Sequence, residues 1–199
     1  MKHFSIKQFA CRLWCKMTEE VVENIEALVT NVLDPVYENF SELVSMDEQS
    51  EEERANLIKI NAGYICKKHL AELGLSTRSL HNTGEAADIC AEPKMYQNMM
   101  EWREANRLLA GLIIKNGKFD TIILVNVGED NLNPQWVHVS FSCPLNRGKV
   151  MKKIAGQKNC VDLTTDEIAS LLGSGFKFKG ARVKRTKTKT KTKTKTKTL

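Results

Sequence analysis

Apolar residues recur every three or four positions through Val21, Val22, Ile25, Leu28, Val29, Val32 and Leu33, which puts them on one face of a helix. Thr18 followed by Glu19 and Glu20 supplies an N-cap and acids at the positive end of that helix. Pro35 is expected to end or kink it, because proline lacks the amide donor and crowds the preceding turn. Upstream, Phe4, Ile6, Phe9, Leu13 and Trp14 suit an extended piece leading into a short helix. Downstream of an acidic, polar stretch over 42–54, expected to be an exposed loop or the start of another helix, the pattern changes to alternation. Residues 57–66 read as a strand ending near Gly63, and 67–73 as a short helix closed by Gly74. Residues 85–90 read as a strand. Pro93 then stands where a helix can begin, and 94–114 supply one with Met95, Met99, Trp102, Leu108, Leu109 and Leu112 as its apolar content. Asn116-Gly117 signals a turn into the β-branched run 119–127, and 136–141 alternates strictly. These two runs are expected to pair as a hairpin across the polar connection 128–134. A last short helix over 163–172 follows Thr164 or Thr165 as cap. The predicted fold class is α+β.

Composition changes this picture little, and charge changes it at one end. The chain has 199 residues, 42% of them hydrophobic, enough for one domain that buries a core without disulfides. No apolar run approaches the roughly 20 residues that cross a bilayer. The first residues lack the apolar stretch and small-residue cleavage site of a signal peptide. Synthesis in a cytoplasm is therefore expected, with another agent delivering the protein to any target outside. The net charge of +6 is carried by the C-terminus: nine basic residues and no acid follow Ala181, leaving 21 basic against 24 acidic residues before it. A global case for nucleic-acid binding fails for the folded part. Residues 186–198 alternate Lys and Thr strictly; an all-polar repeat of like charges buries nothing and is expected to be disordered. It suits contact with an anionic polymer such as teichoic acid or nucleic acid, and suits equally a slippage-generated extension without a selected role. Six cysteines are scattered along the chain. Cys11 and Cys15 could be half of a structural zinc site, yet no second pair at zinc-finger spacing follows, and buried, inert thiols are the expectation. His3 and His69 are read as ordinary surface or core histidines.

The chemistry concentrates in two stretches, Ser79-Leu80-His81-Asn82-Thr83-Gly84-Glu85-Ala86-Ala87-Asp88-Ile89 and Trp136-Val137-His138-Val139-Ser140. Side chains alternate along a strand, so Trp136, His138 and Ser140 share one face, and Ala86, Asp88 and Cys90 share another. Gly84 lets the chain turn so that His81 and Asp88 can converge. Two imidazoles and one carboxylate make a three-ligand set with one coordination position open, the pattern of catalytic rather than structural zinc.

These motifs, in this order and about fifty residues apart, resemble the zinc D-Ala-D-Ala carboxypeptidase family. That family also contains phage L-alanyl-D-glutamate endopeptidases and shares its fold with the hedgehog signalling domain. The likeness extends more loosely from Phe4 to Phe141: Ile60-Asn61-Ala62-Gly63-Tyr64 is similar to the family's Asn-Ser-Gly-Tyr-Arg strand, and Phe119-Asp120 to its Phe-Asp. The resemblance implies a hedgehog/DD-peptidase-like fold over 1–145, with a small antiparallel sheet carrying the ligands against helices. A C-terminal extension with a short helix over 146–180 and the basic tail over 181–199 would follow. It implies that His81, Asp88 and His138 bind one Zn²⁺ ion, which would polarise a scissile carbonyl and activate water. Peptidoglycan stem peptides or crosslinks would be the substrate of a monomeric, virus-encoded or bacterial protein acting at the cell wall. Ser79 and Trp136 are the candidate substrate contacts. Two departures stand out. Ile65 occupies the place of an arginine able to hold a substrate carboxylate. Val125 and Gln135 stand where a general base would be, leaving Glu129 or Asp130, in the 128–134 loop, as the candidate. An alternative is a zinc-binding fold without effective catalysis, acting as a cell-wall or phage structural protein.

Overall fold

A computed structural model of the chain describes residues 1–13, 15–44, 57–142 and 144–173. Most of the acidic stretch and the Lys-Thr tail lie outside the described residues. The N-terminal helical run starts as read: Thr18 caps α1 (Glu19–Leu28), its side chain accepting the Val21 N–H at 3.3 Å. Pro35 does not end the run. A π turn over Val29–Leu33 carries it into α2 (Asp34–Val44). The proline follows directly on that π turn, where the wider helical ladder (the Asp34 N–H bonds back to the Val29 carbonyl) takes the place of regular α geometry. Asp34 holds the other end of the molecule here, its carboxylate accepting the Lys2 and His3 amides at 2.8 and 3.1 Å.

The rest is a mixed six-stranded sheet packed with helices. In chain order the elements are β1 (Ile58–Ala62), α3 (Lys67–Glu72), β2 (Ala86–Ala91), α4 (Met99–Asn116), β3 (Thr121–Val127), β4 (Trp136–Ser140), β5 (Lys149–Ile154), β6 (Val161–Asp162) and α5 (Thr165–Gly173). The spatial order is β1-β2-β4-β3-β5-β6. The expected hairpin forms, β3 pairing antiparallel with β4, and β2 pairs antiparallel with the other side of β4. The sheet is nevertheless not purely antiparallel, because β5 lies parallel to β3. The mixed polar sequence of β5, with lysines at 149, 152 and 153, gave no strand signal. Its neighbours explain why it can pair: Lys152 forms an ion pair with Glu167 of α5, and Lys149 lies 3.1 Å from Asp162 of β6.

One face of the sheet carries the core. Ala87, Ile89, Val137, Val139, Ile122 and Leu124 are all buried completely, and α4 supplies Ala105, Leu109 and Ile113 to the same cluster. Asn98 caps α4 by accepting the Met100 and Glu101 amides, both at 3.0 Å. Within this apolar layer Asn106 is fully buried and fully used. It accepts the Ala91 N–H at 2.7 Å and donates to the Pro134 and Gln135 carbonyls, the satisfaction that burial of an amide requires. Arg103, one turn earlier, donates to the carbonyls of Asn126 and Asn133. The helix thus grips both strand ends of the β3–β4 connection.

The β3–β5 junction is pinned by Asp120. Its carboxylate, almost wholly buried, receives the Arg147 guanidinium at 2.9 and 2.6 Å and the Arg147 amide at 3.1 Å. The Arg147 hydrogen bonds hold Asp120 down at about 2, against burial that alone would raise it. A folded-state pKa below the unfolded value means stability that is present above about pH 4 and lost as pH falls through about 2. An Asp120→Asn variant should therefore lose less stability than the wild type between pH 4 and pH 2, read from urea melts at each pH.

Candidate metal centre

Two strands and one short turn build the site. Asp88 on β2 and His138 on β4 are direct cross-strand partners in the antiparallel register, so their side chains emerge side by side from one face. That face is opposite the apolar one. Ile123 of β3 pairs with His138 from the other side. The third residue, His81, comes from a 3-10 turn, Leu80–Asn82, whose first amide is capped by Ser79 Oγ accepting from His81 N at 3.4 Å.

His81 is held in one tautomer. Its Nδ1 donates to the Gly63 carbonyl at 2.7 Å, so Nε2 is the nitrogen that faces the other two residues; an imidazole that ligates a metal characteristically has its second nitrogen fixed this way. The Ile65 amide also donates to the His81 carbonyl at 3.0 Å, and Asn82 donates to the Ile65 carbonyl at 3.1 Å. The segment 63–65 after β1 is therefore the frame on which His81 is mounted. Gly63 must be glycine for this approach, since a Cβ there would lie 2.6 Å from Phe9 Cα. Gly84, which turns the chain from His81 into β2, has φ +80°, and a Cβ on it would stand 2.5 Å from the Val21 carbonyl oxygen.

Three donor atoms meet. His81 Nε2 lies 3.2 Å from His138 Nδ1 and 3.5 Å from Asp88 Oδ1, and His138 Nδ1 lies 2.8 Å from that oxygen. An ion with bonds of about 2.0–2.1 Å holds tetrahedral ligands roughly 3.3 Å apart, so the set fits a first-row divalent metal such as zinc with little movement. Among the described residues no fourth His, Cys, Asp or Glu donor joins the three within 4.8 Å, which leaves one side of a tetrahedron to an outside ligand. Side-chain exposures of 9%, 23% and 19% for His81, Asp88 and His138 leave that side reachable.

The electrostatics suit a cation. Burial alone would raise the Asp88 carboxyl, but hydrogen bonds from His138 and His81, with their charge, outweigh it and hold the group far below the usual carboxylate range. Burial likewise would lower the His81 imidazole, and the Asp88 carboxylate beside it reverses the sign and raises it. A negative charge is thus fixed at the convergence point.

The other candidate residues fall differently. Ser79 spends its hydroxyl on the turn that carries His81. Trp136 shares the face of His138, two residues along β4 and opposite Val125. Glu129 and Asp130 sit on an exposed bend after β3. Val127, the last residue of β3, is four residues beyond the partner of His138, about 13 Å along the strand at ~3.3 Å per residue. Because Arg103 and Asn106 hold the ends of their loop from the helix side, that loop is anchored to the face opposite the metal ligands. Gln135 is occupied too, its Oε1 accepting from Asn126 Nδ2 at 2.9 Å, and Asn126 adopts φ 57° beside a bulge in the β3–β5 pairing.

A second cluster escaped the sequence reading. Cys11, Cys15 and Cys66 bring their sulfurs within 4.8 Å of one another, and His69 lies beside them, its Nδ1 3.4 Å from Cys11 Sγ. Cys66 and His69, at Cys-x-x-His spacing more than fifty residues along the chain, are thus brought beside the Cys11–Cys15 pair. The spacing signal was present, but nothing local said that 11–15 and 66–69 meet.

No family model matches the chain, and no curated protein matches it. Two outcomes test the first centre. Replacing His81 by Ala, Asp88 by Asn or His138 by Ala should each weaken metal binding there by more than ~100-fold, beyond the 10–100-fold typical of losing an outer-shell partner, measured by competition with a chromophoric chelator. Gly84→Ala should destabilise the fold by at least ~2 kcal/mol, from left-handed strain and the clash with a backbone oxygen, measured by urea denaturation.

Proposed function

We propose that the chain is a zinc-dependent peptidase acting on the stem peptides or crosslinks of bacterial peptidoglycan, with a hedgehog/DD-peptidase-like fold. The observation that carries this reading is the convergence of His81 Nε2, Asp88 Oδ1 and His138 Nδ1 on one point with an open side. The motifs bearing these residues, and their order, are those of the family it resembles, so motif and geometry support one assignment.

His81, Asp88 and His138 would hold the ion, with the Gly63 carbonyl keeping the His81 tautomer and Asp88 supplying the compensating charge. When bound, zinc supplies Lewis acidity and brings the ionisation of water toward neutrality. The chain's own contribution is position. Trp136, on the ligand face, offers an aromatic wall along which a peptide can lie. Ile65 carries no charge for a substrate carboxylate, but Arg12 lines the same cleft as Asn61, Gly63 and Ile65, presenting a guanidinium from a different part of the chain. A proton acceptor must come from Glu129 or Asp130 if the reaction follows the family's course.

The placement of those two acids favours a second reading, a protein that keeps the metal and has lost most of the rate. Val125 and Gln135 cannot take a proton, and the loop of Glu129 and Asp130 is tied to the far side of the sheet. Loss of a general base typically costs about 10²–10⁴ in rate. The test is release of new amine ends from purified peptidoglycan by the zinc-loaded protein. Peptidase function predicts activity that His138→Ala abolishes and that Glu129→Ala or Asp130→Ala cuts by about 10²-fold or more. Wild-type activity no greater than that of His138→Ala would leave the metal-holding reading.

A further inference from the structure

The cysteine cluster is unlike the first centre in every respect that separates structural from catalytic sites. Its donors are soft, its residues come in two short-spaced pairs, and Cys11 and Cys66 are buried to 2% and 6% exposure. Cys11 and Cys15, with three residues between them, are themselves in neither helix nor strand. Cys66 immediately precedes α3 (Lys67–Glu72), and His69 lies within it. What brings the pairs together is the contact of Phe9 with Gly63: the Tyr64 amide donates to the Phe9 carbonyl at 2.8 Å, and the chain leaves that point in both directions toward the cluster.

From this geometry we infer that Cys11, Cys15, Cys66 and His69 form a second, structural zinc site. Tetrahedral zinc with bonds of roughly 2.3 Å to sulfur and 2.0–2.1 Å to nitrogen sets sulfurs about 3.8 Å apart and sulfur and nitrogen about 3.5 Å apart. The Cys11–Cys66 sulfurs are at 3.7 Å and Cys11 Sγ to His69 Nδ1 is 3.4 Å. The Cys15–Cys66 sulfurs, at 2.8 Å, are closer than that edge yet well beyond the ~2.05 Å of a disulfide. Occupancy requires them to part by about 1 Å, and the His69 ring to swing in from the Cys11 side. Both are side-chain rotations. Three cysteines and one histidine close the coordination shell, so this site has no position for substrate.

The site has a task in the fold. The described residues of 10–18 form no strand ladder, and zinc would fasten that segment to the stretch 63–69. That stretch is the one whose Gly63 carbonyl and Ile65 amide mount His81. The second metal would thus brace the frame of the first without touching it.

The test is metal stoichiometry of the full chain purified under reducing conditions without chelator. Two zinc ions per chain are expected. The double variant His81→Ala/His138→Ala, which leaves the cysteines untouched, should retain one. Its cobalt form should show the thiolate-to-cobalt charge-transfer absorption of a sulfur-rich tetrahedral site. Alkylation mapped by mass spectrometry should find Cys11, Cys15 and Cys66 protected until a chelator is added, with Cys160 labelled throughout. Cys66→Ser should lose the charge-transfer band, and chelation of the double variant should lower its melting temperature by about 10 °C or more. His69→Ala should keep the sulfur band while weakening affinity. A double variant that binds no zinc, or a Cys15–Cys66 or Cys11–Cys66 disulfide in that preparation, overturns the inference. Neither result depends on peptidase activity, so failure here and failure of the proposed reaction are read separately.

Discussion

The structure depends on one register. Asp88 stands opposite His138 because β2 and β4 pair antiparallel at that residue and not one residue away. A slip by one position would turn both side chains to the other face, because strand side chains alternate with period two. Val137, Val139, Ala87 and Ile89 make the slip prohibitive. They fill the core face completely, and a shift would expose them while burying a carboxylate and an imidazole. The core thus sets the geometry of the centre, and nothing at the centre needs to pay for its own placement. His81 is the exception. It is not on a strand, and it is held by the Gly63 carbonyl, the Ile65 amide and the Ser79 cap, with Gly84 giving the one left-handed step that aims the chain into β2.

That division explains what could be read from the amino acids alone. Strands β2, β3 and β4 were legible because alternation is a local signal, and His138 and Asp88 were legible because the apolar members of those strands decide which side they face. The cap at Thr18 was legible for the same local reason, and of the two candidates Thr164 and Thr165 it is Thr164 that caps α5, its hydroxyl accepting the Glu167 amide at 3.2 Å. Pro35 was read as an end or a kink, and of these the end does not occur: the run continues past it, with α geometry interrupted just ahead of the proline. The π turn over Val29–Leu33 is where the run accommodates it. Strand β5 was invisible because its polar side chains are satisfied by Glu167 and Asp162 rather than by burial. The cysteine cluster was invisible because its two halves are joined by the close passage of Phe9 over Gly63, a contact written in no spacing. The meeting of the three donor atoms of His81, Asp88 and His138 depends on the sheet register and on the turn that carries His81.

The two clusters illustrate how donor chemistry and closure separate binding from reaction. At the first, two nitrogens and one oxygen leave a side open, and partial exposure lets an outside ligand approach. At the second, three sulfurs and a nitrogen leave none. Both are reached from the 63–69 stretch, which carries a carbonyl for one and two side chains for the other. Loosening either end of that stretch would be felt at His81.

Holding a metal and turning over a substrate are separable demands on a fold. The ligand set needs three side chains to point at one spot, and the sheet register and one hydrogen-bonded turn are enough for that. A general base must in addition stand within hydrogen-bond reach of the attacking water, on an element free to place it there. In this fold that element is the end of β3 and its loop. Those residues are committed elsewhere: Asn126 is in a left-handed conformation beside a bulge, Gln135 is bonded to it, and Arg103 and Asn106 hold the surrounding carbonyls from the helix side. Bringing Glu129 or Asp130 over the ligand face would require the loop to cross the end of the sheet while keeping those bonds, or to break them on binding substrate. Asn106 is fully buried, and breaking its bonds would leave polar groups unpaired in the core, each at a cost of about 1–3 kcal/mol. For the peptidase proposed above, catalysis at full rate would call for a loop that moves beyond its anchors at Asn126 and Asn133, and the six-residue span between them is where that movement would have to occur.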